Sequence, residues 1–439
     1  MITLPRCVTR RLFTALLGLS LIGTAAALQG AGFEPHSVGW TKTKGGQGGV
    51  LLRVTTLEAR GKGSLAEALA HKGPRVIVFE VGGIIDLEGR SLLINEPHVT
   101  IAGQTAPAPG ITLIRGGLGI GTHDVIVQHL KVRPGEAGRA KKSGWEIDGI
   151  ATRSGAHDVI VDHCSCTWAT DENLSASGAR FTGEEKGPDA WREGTSHRIT
   201  FTNNLIAEGL SNSTHAKGEH SKGTLVHDNV TQIAIVGNLY ASNRERNPLF
   251  KGGVHGIVVN NLICNPGNVL VHYGLVGEEW GNRPYQNGRM AIVGNFALFG
   301  PDTAKLEKRP AVLKIGGEGA CEAYLADNEG TGAAAGIEAI RSKPELLVLL
   351  PEAPLWPANF TPLKAAQLTS VIPPAVGARP WDRDPIDQRI ITESLKGTGH
   401  IIDGEAEVGG YPSHAPTKAP FRQEEWDLVT MERRTEVGR

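Results

Sequence analysis

The chain has 439 residues, a formal net charge of −1 and 40% hydrophobic residues. A nearly neutral chain has no global field that attracts nucleic acid or a membrane surface, so any polyanion must be bound by a local basic cluster. The 57 glycines and 25 prolines are in excess and aromatic residues make up only 5%, which is typical of short strands separated by many turns.

The first 27 residues are typical of an export signal. Arg6, Arg10 and Arg11 precede the apolar run LFTALLGLSLIGTAAA, whose small residues at the end favour cleavage. This run is shorter than the ~20 residues of a membrane-spanning helix, which disfavours a permanent anchor. The arginine pair also resembles a twin-arginine signal. We therefore expect a signal peptide at 1–27, a secreted or periplasmic protein, and no membrane association after cleavage.

Four cysteines remain after this cleavage, and they follow one another in the order Cys164, Cys166, Cys264 and Cys321. In an oxidising compartment they can form one or two disulfides, whose pairing the sequence does not determine. Buried thiols inside a stack of strands are the alternative. Zinc is disfavoured, because no second Cys/His pair follows at finger-like spacing.

A short helix is predicted near the start of the remaining chain. Ser64 and Glu67 form a capping box that opens an alanine-rich stretch, and the strand VIVF follows at 76–79. A helix at this position would cover the open apolar end of a repeat protein, which must be capped.

Short β-branched segments then recur every 23 to 40 residues. They are VTIAGQ (99–104), VIVQHL (125–130), VIVDHC (159–164), ITFTNN (199–204), IAIVGN (233–238), GIVVNN (256–261), MAIVGN (290–295) and AYLADN (323–328). A β segment that returns at this period without an intervening helical pattern predicts a solenoid.

Five consecutive segments end in asparagine, at Asn204, Asn238, Asn261, Asn295 and Asn328. Stacked at one corner, these residues would adopt the left-handed backbone of a tight turn and bond to one another through their amides. A β-sandwich also has frequent strands and turns, but it gives no reason for asparagine at a constant phase. We therefore predict an all-β fold, a right-handed single-stranded parallel β-helix over 28–335 with an N-terminal capping helix.

Two further regions depart from the repeat. Residues 336–439 lose the pattern and gain prolines, and we expect them to form an extension that packs on the outside of the β-helix. Residues 176–198 form a long polar insertion, a kind of loop that is often functional. We expect the protein to act as a monomer.

The most informative segment is 217–253, where basic side chains flank a short β-periodic stretch that lies downstream of several carboxylates. The basic residues are Lys222, Arg246 and Lys251, and the carboxylates are Asp148, Asp162, Asp171 and Glu172. Cations facing carboxylates on a repetitive β scaffold predict a site that binds an acidic polymer with the help of a hard metal ion. Asp162 and His163 lie beside buried strand residues, so we expect them to organise a turn.

Several ordered segments carry a family resemblance. They are VGGIIDL (81–87), VTIAGQTAPAPGITL (99–113), VIVDHCSCTWATDENLS (159–175), HSKG (220–223), RERNPLF (244–250), RPWDRDPIDQR (379–389) and VGGYP (408–412). Together they resemble the pectate lyases, β-helical polysaccharide lyases that cleave acidic pectin chains by β-elimination. The resemblance covers most of the chain and implies pectate or pectin as the partner.

The resemblance also implies roles for the basic residues. Arg246, followed by Asn247 and Pro248, matches the catalytic arginine of the family, and Lys222 matches a substrate-binding lysine. Lys251 occupies the position of a second arginine that holds a substrate carboxylate. Lysine keeps the charge but lacks the bidentate fork of arginine, so we expect a weaker hold on the carboxylate.

Calcium is the cofactor that the resemblance implies. Asp148 matches a calcium-ligating aspartate, and Asp171 and Glu172 lie near the other ligands. The family spaces two acidic ligands four residues apart, but position 175 is a serine here. Both Asp171 and Glu172 therefore remain candidate ligands.

An arginine base needs a lowered pKa, because the ordinary pKa of its side chain lies above ~12. Lys251, Arg244 and bound calcium would lower the pKa of Arg246, whereas a pair with Glu245 would raise it. We therefore expect an alkaline activity optimum.

Two other functions are compatible with a β-helix of this kind. A polygalacturonase-like hydrolase would use Asp162, Asp171 and Glu172 as an inverting carboxylate pair, which needs a separation of ~6.5–9.5 Å, but it leaves Arg246 without a role. A non-catalytic polysaccharide-binding β-helix would keep the basic groove without needing calcium or Arg246.

Overall fold

The structure is a computed structural model that describes residues 32–182, 187–306, 310–332 and 337–434. The predicted signal peptide at 1–27 lies outside these residues. Within them, short strands form three sheets of 11, 9 and 10 strands. No helix of the described part has both the length and the hydropathy that crossing a membrane requires.

The strands are numbered in chain order and alternate among the three sheets. The first sheet contains β1 (Val50–Val54), β2 (Arg75–Phe79), β5 (Val99–Ala102), β8 (Val125–Gln128), β11 (His157–Asp162), β14 (His197–Thr202), β17 (Thr231–Val236), β20 (His255–Val259), β23 (Gly288–Val293), β26 (Cys321–Ala326) and β29 (Leu347–Leu349). The second contains β4 (Leu92–Ile94), β7 (Leu118–Ile120), β10 (Ile150–Thr152), β13 (Leu174–Ala176), β16 (Leu225–Val226), β19 (Leu249–Lys251), β22 (Val269–Leu275), β25 (Ala311–Gly317) and β28 (Glu338–Arg341). The third contains β3 (Val81–Asp86), β6 (Ile111–Ile114), β9 (Leu130–Arg133), β12 (Ser165–Thr167), β15 (Leu205–Ala207), β18 (Leu239–Ala241), β21 (Leu262–Cys264), β24 (Phe296–Phe299), β27 (Glu329–Gly332) and β30 (Thr417–Lys418).

Pairing within the sheets is parallel, apart from the antiparallel pair of β30 with β3. Strand β11, for example, pairs in register with β8 and β14, so that Val159 lies between Val125 and Ile199. Each turn of the chain adds one strand to each sheet, which makes the molecule a parallel β-helix. The predicted fold is confirmed.

The core is a set of aliphatic columns that run along the solenoid. Val125, Val159, Ile199 and Ile233 occupy successive rungs of the first sheet, and each is fully buried. Burying one such side chain stabilises the fold by roughly 1.5–3 kcal/mol. Because the inward-facing positions recur on every rung, each repeat of the apolar pattern in the sequence adds one layer of side chains to the core.

The predicted asparagine ladder is confirmed. Each side-chain amide donates to the next asparagine Oδ1 along the stack, at distances of 3.0 Å for Asn204 to Asn238, 3.0 Å for Asn238 to Asn261, 3.0 Å for Asn261 to Asn295 and 2.9 Å for Asn295 to Asn328.

The expectation that the ladder asparagines themselves adopt the left-handed backbone is wrong. That conformation belongs to the residue before each of them, which is Asn203, Gly237, Asn260, Gly294 or Asp327. The bend is made one residue earlier. Each ladder asparagine then presents its amide along the stack, where it also bonds to backbone carbonyls of neighbouring strands.

Five helices accompany the strands, and they are α1 (Leu65–Leu69), α2 (Pro188–Gly194), α3 (Gly277–Trp280), α4 (Leu368–Ala375) and α5 (Pro385–Lys396) in the described residues. Helix α1 begins as predicted, since Ser64 Oγ accepts a hydrogen bond of 3.2 Å from the Glu67 N–H. Leu65 and Leu69 are buried in the solenoid core. This helix therefore covers apolar side chains at the N-terminal end.

Beyond residue 335 the chain first continues the solenoid, through β28 and β29, and then leaves it. Helices α4 and α5 pack outside the third sheet, where Ile372 and Ile390 join one apolar cluster with Leu205 and Leu239.

A buried charge network, formed by Lys131, Arg133, Asp384 and Asp387, anchors this outer segment. Arg133 of β9 contacts Asp384 at 2.8 Å and Asp387 at 2.7 Å, and the Lys131 ammonium lies 3.2 Å from Asp384. Asp384 also caps α5, accepting from the Asp387 N–H at 2.9 Å. The RPWDRDPIDQR motif thus holds the C-terminal segment on the solenoid.

The four described cysteines are buried and free. Their side chains pack among the strands, and burial raises the pKa of the Cys164 thiol to about 12. The disulfides that the sequence allowed are not formed among these cysteines, and the interpretation as buried thiols is confirmed.

Candidate active site

All but one of the predicted site residues lie in the turns that precede strands of the second sheet, and Lys251 is the last residue of β19. Asp148 precedes β10, Asp171 and Glu172 precede β13, Lys222 precedes β16 and Arg246 precedes β19. These four strands are consecutive neighbours in the sheet. The solenoid therefore brings residues that are far apart in sequence onto adjacent rungs.

Isolated β-bridges hold these turns in register with one another. Lys222 forms isolated parallel bridges with Glu172 on one side and Glu245 on the other. Glu172, Lys222 and Glu245 are thus aligned across three rungs, and Arg246 follows immediately after the last of them. The position of each side chain is set by the β ladder and not by a flexible loop.

The three predicted metal ligands converge. Asp148, Asp171 and Glu172 each offer a carboxylate oxygen, and these oxygens all lie within 4.8 Å of one another. Asp148 Oδ1 also accepts a hydrogen bond of 3.0 Å from the Glu172 N–H. Burial, and then the neighbouring charge of Asp171, raise the pKa of Asp148 above its ordinary value. A hard divalent cation is the ligand that such converging carboxylates suit best.

The side chains of two histidines pack beside the carboxylate of Asp171. His220 Nε2 lies 2.8 Å from Asp171 Oδ1, and the ring of His215 stacks on that of His220 with centroids 3.9 Å apart. Burial raises the pKa of Asp171, but the hydrogen bond and the charge of His220 lower it below its ordinary value. Asp171 is therefore the carboxylate that stays ionised when Asp148 takes a proton.

Arg246 is paired with Glu172. Its guanidinium Nη1 contacts Glu172 Oε1, and the Glu172 side chain is 4% exposed. Burial lowers the pKa of Arg246, while Asp171, Asp148 and Glu279 oppose that shift. The predicted base and a predicted metal ligand are thus ion-pair partners.

Lys222 is turned toward a different carboxylate. Its ammonium lies 2.8 Å from Glu245 Oε2, and Asn268 Nδ2 donates to the other oxygen of Glu245 at 2.9 Å. Burial raises the pKa of Glu245, but Lys222 and Asn268 lower it to about 2. Glu245 thus pairs with Lys222, its bridged neighbour, and not with Arg246. Lys222 is not among the described residues that line the cleft.

Lys251 belongs to a four-membered charge cluster. Its ammonium contacts Glu279 of α3 and lies 3.5 Å from Asp228 Oδ2. Arg180, from the predicted polar insertion, contacts the same two carboxylates at 2.9 and 2.7 Å. Lys251 is therefore already neutralised by groups of its own chain.

These groups border a cleft of about 460 Å³. It is lined by Glu146, Asp171, Glu172, His215, Lys217, His220, Leu225, His227, Arg246, Leu249, Lys251, His272, Gly274, Leu275, Val276, Glu279, Gly316 and Gly317. The lining is rich in charge of both signs and poor in aromatic carbon, which suits a polar, charged chain better than an apolar ligand.

Sequence comparison identifies the family. A curated relative from Emericella nidulans, a probable pectate lyase C, is 31% identical over 401 residues, which cover 90% of this chain and 83% of the relative. The chain belongs to the pectate lyase family. A probable pectate lyase C from Aspergillus terreus is 29% identical over 425 residues, covering 95% of this chain and 90% of the relative. No family model matches the chain.

Solved structures share the fold of this pectate lyase family member. The cedar pollen allergen jun a 1 is 17% identical, with a TM-score of 0.52 over 76% of this chain and 90% of that one. A pectate lyase bound to a hexasaccharide is 13% identical, with a TM-score of 0.52 over 80% of this chain and 99% of that one. At these identities the likeness supports the β-helix alone.

Asp162 does not join the other carboxylates of this polysaccharide lyase. It is 3% exposed and bonded at the end of β11, 2.9 Å from His163 Nδ1 and 2.8 Å from the amide of Asn203. Its predicted role in organising a turn is confirmed.

Sequence reasoning missed the partners of the candidate site residues. His220 lies inside the HSKG motif and His215 lies five residues earlier, so both were within reach of a search for metal-site histidines. Glu279, Asp228 and Arg180 had no such motif. Their contacts arise because Arg180 of the insertion and Glu279 of α3 meet beside Asp228 in the folded chain.

Proposed function

We propose that this protein cleaves polygalacturonate, or a related uronate polymer, by β-elimination, with calcium as cofactor and Arg246 as base. The observation that carries the proposal is the convergence of Asp148, Asp171 and Glu172 beside Arg246 on adjacent rungs. Family membership supports the reaction class, and the charged cleft supports an acidic polymer as the substrate.

The donor set suits calcium. All three side chains offer carboxylate oxygens, and calcium takes 6–8 oxygen ligands, so three side chains leave positions for substrate and water. Burial and then the negative charge of Asp171 raise the pKa of Asp148, and a bound divalent cation would oppose both effects by favouring the ionised carboxylate. When bound there, calcium would neutralise the uronate carboxylate and so make the proton on the adjacent carbon more acidic.

Elimination begins with removal of that proton, α to the carboxylate. We assign this step to Arg246, which lines the cleft and whose pKa is lowered by burial. As the proton moves to a guanidine nitrogen, the C–H electron pair forms the carbon–carbon double bond. The bond between the β carbon and the glycosidic oxygen breaks, and its electron pair leaves with that oxygen. Each unit by which the pKa of Arg246 falls corresponds to about 1.4 kcal/mol.

The ion pair between Arg246 and Glu172 opposes this role in the free protein, because a carboxylate partner stabilises the charged guanidinium. If Glu172 is engaged as a metal ligand, Arg246 loses that partner and its neutral form becomes more accessible. The contact between Glu172 and Arg246 therefore supports the proposal that metal binding at the carboxylates favours the neutral form of the base.

Substrate positioning is assigned to the lysines. Lys251 lines the cleft and would hold a neighbouring uronate carboxylate in exchange for Glu279. Lys222 would do so only by leaving Glu245, with which it now pairs. A charge held at a defined distance from the reacting ring orients the substrate for proton removal.

We also propose that the protein is exported. The features of 1–27 support a secreted or periplasmic enzyme that meets its polymer outside the cytoplasm, and we propose that it acts there as a monomer. Trapping the exported form and sequencing its N-terminus tests the predicted cleavage near residue 27.

One assay tests the reaction. Protein is incubated with polygalacturonate and calcium, and ultraviolet absorbance reports the conjugated double bond that only elimination creates. The product should vanish with a chelator and in Arg246→Ala, but persist in the control Arg289→Ala, whose exposed arginine pairs with Glu322 and does not line the cleft. Reducing sugar without absorbance would support the hydrolase, and binding without any product would support the non-catalytic β-helix.

A further inference from the structure

A second group of metal-binding side chains lies at a different corner of the solenoid. His98 immediately precedes β5, and His123 and Asp124 immediately precede β8. Val99 and Val125 pair in register, so His98 and Asp124 lie at one level on adjacent rungs. We call these three residues the histidine corner. It borders the first sheet, whereas the carboxylates described above precede strands of the second.

The donor atoms of the histidine corner converge on one carboxylate oxygen. His98 Nδ1 lies 3.8 Å and His123 Nδ1 lies 2.8 Å from Asp124 Oδ2, and the three donor atoms lie within 4.8 Å of one another. Tetrahedral zinc ligands at ~2.0–2.1 Å from the metal are about 3.3 Å apart. The two observed spacings lie on either side of that value, so modest ring rotations bring all three donors onto one ion.

The carboxylate is already oriented for this role. Thr43, which is 3% exposed, donates through Oγ1 to Asp124 Oδ1 at 2.8 Å, and this leaves Oδ2 to face the two rings. The His123 ring in turn stacks on His157, with centroids 4.8 Å apart and planes 13° apart. Metal ligands are typically held by such outer contacts.

The corner is also accessible. The side chains of His98, His123 and Asp124 are 46%, 39% and 28% exposed, so an ion can enter from solvent and a water molecule can complete the coordination. We propose that the histidine corner binds a divalent transition-metal ion of the zinc class.

The donor chemistry separates this site from the proposed calcium site. Two imidazole nitrogens and one carboxylate oxygen suit zinc, nickel or copper, whereas the group of Asp148, Asp171 and Glu172 offers oxygen alone, which suits calcium. An ion at the corner joins β5 to β8 and, through Thr43, ties the N-terminal segment to the solenoid. Its role is therefore structural, and it does not depend on the lyase reaction.

A second cluster offers zinc a similar set of donor atoms, so the experiment must distinguish it from the histidine corner. Asp171, His215 and His220 also place donor atoms within 4.8 Å of one another. The Lys217 N–H, however, donates to His215 Nδ1 at 3.1 Å, which leaves the ring proton on the Nε2 that faces Asp171. An ion there must displace that proton, just as an ion at the corner must displace the proton that His123 Nδ1 donates to Asp124 Oδ2. The variant His220→Gln is therefore included to distinguish the two clusters.

The test is a zinc titration by calorimetry of the full chain without a histidine tag, stripped with chelator and then saturated with calcium. We expect His98→Gln and Asp124→Asn to lose one zinc equivalent, or to bind it at least about tenfold more weakly. The matched control His71→Gln, at an exposed histidine outside the cluster, should bind like the unaltered protein. Unchanged zinc stoichiometry and affinity in both corner variants, loss confined to His220→Gln, or no zinc binding at all would overturn the proposal.

A second measurement on the unaltered protein keeps the test decisive if a corner variant does not fold. Histidine acylation is mapped by mass spectrometry with and without zinc. Zinc should protect His98 and His123 and leave His71 reactive, and it should also raise the melting temperature, because an ion that binds only the folded state stabilises it. Equal labelling of all three histidines with and without zinc would refute the site.

Discussion

Lys251 and Glu279 form an ion pair at the edge of the cleft, although they lie 28 residues apart. Glu279 comes from the short helix α3 and also contacts Arg180. The lysine that should hold a uronate carboxylate is therefore occupied by a carboxylate of its own chain, and any acidic substrate must compete with it.

Replacing Glu279 by glutamine should strengthen substrate binding. The change removes one of the two carboxylates that face Lys251 and a negative charge from the cleft, so we expect KM for polygalacturonate to fall roughly two- to fivefold, since a partly exposed pair is worth at most about 1 kcal/mol. Because Glu279 also opposes the lowering of the Arg246 pKa, the pH dependence of kcat should shift toward lower pH. Steady-state kinetics at fixed calcium measure this. Glu278→Gln, at the exposed neighbouring position, is the matched control, and an unchanged or higher KM in Glu279→Gln would contradict the prediction.

Glu172→Gln should weaken calcium binding by at least about tenfold, because one of three converging carboxylates is lost. It also removes the partner of Arg246, so the pKa of the guanidinium should fall further. Calorimetric titration with calcium reports the first effect and the pH dependence of kcat/KM the second. Glu322→Gln, which breaks the pair with Arg289 outside the cleft, should change neither. Wild-type calcium affinity in Glu172→Gln would exclude Glu172 as a ligand.

Calcium affinity should rise with pH. Burial and the charge of Asp171 raise the pKa of Asp148 to about 8. Below that pH calcium must displace a proton, so its apparent affinity should increase by up to tenfold per pH unit and level off above about 8. Titrations between pH 6 and 9 in buffers of matched ionic strength measure the slope. A flat profile would mean that Asp148 is already ionised at neutral pH.

The buried network under α5 predicts a large stability effect. Asp384→Asn keeps the shape of the side chain but leaves Arg133 and Lys131, each about 1% exposed or less, with a single buried carboxylate between them. Removing one member of a buried charge network costs about 3–5 kcal/mol. Thermal unfolding should show a markedly lower melting temperature. Asp382→Asn, at a half-exposed aspartate paired with Arg379, should unfold almost like the unaltered protein, and equal melting temperatures for the two variants would refute the anchoring role.

The three converging carboxylates are the part of the candidate site that the sequence predicted. Asp148, Asp171 and Glu172 were predicted from their resemblance to calcium ligands, and the stacking of β10 on β13 places them together. The resemblance did not decide between Asp171 and Glu172. The structure brings both to Asp148, because the turn before β13 is short and Glu172 is bridged to Lys222.

The cysteines illustrate the opposite case. Their number and the predicted export allowed one or two disulfides, yet all four are buried and free. Whether two thiols are close enough to form a disulfide depends on the rung and on the side of the strand where each cysteine lies. Composition carries no information on that point.

By itself, the sequence determined the β-helix. Side chains alternate every two residues along a strand, so the recurring apolar positions and the asparagine at constant phase specify the rungs, the core columns and the ladder locally. Only the tertiary structure decided the charge pairing in the cleft, including Arg246 with Glu172, Lys222 with Glu245 and Lys251 with Glu279. The physical reason is that the recurring segments are spaced 23 to 40 residues apart, so loop length and conformation decide which turn residues reach the same edge. Once there, each cation pairs with the nearest carboxylate that the stack supplies.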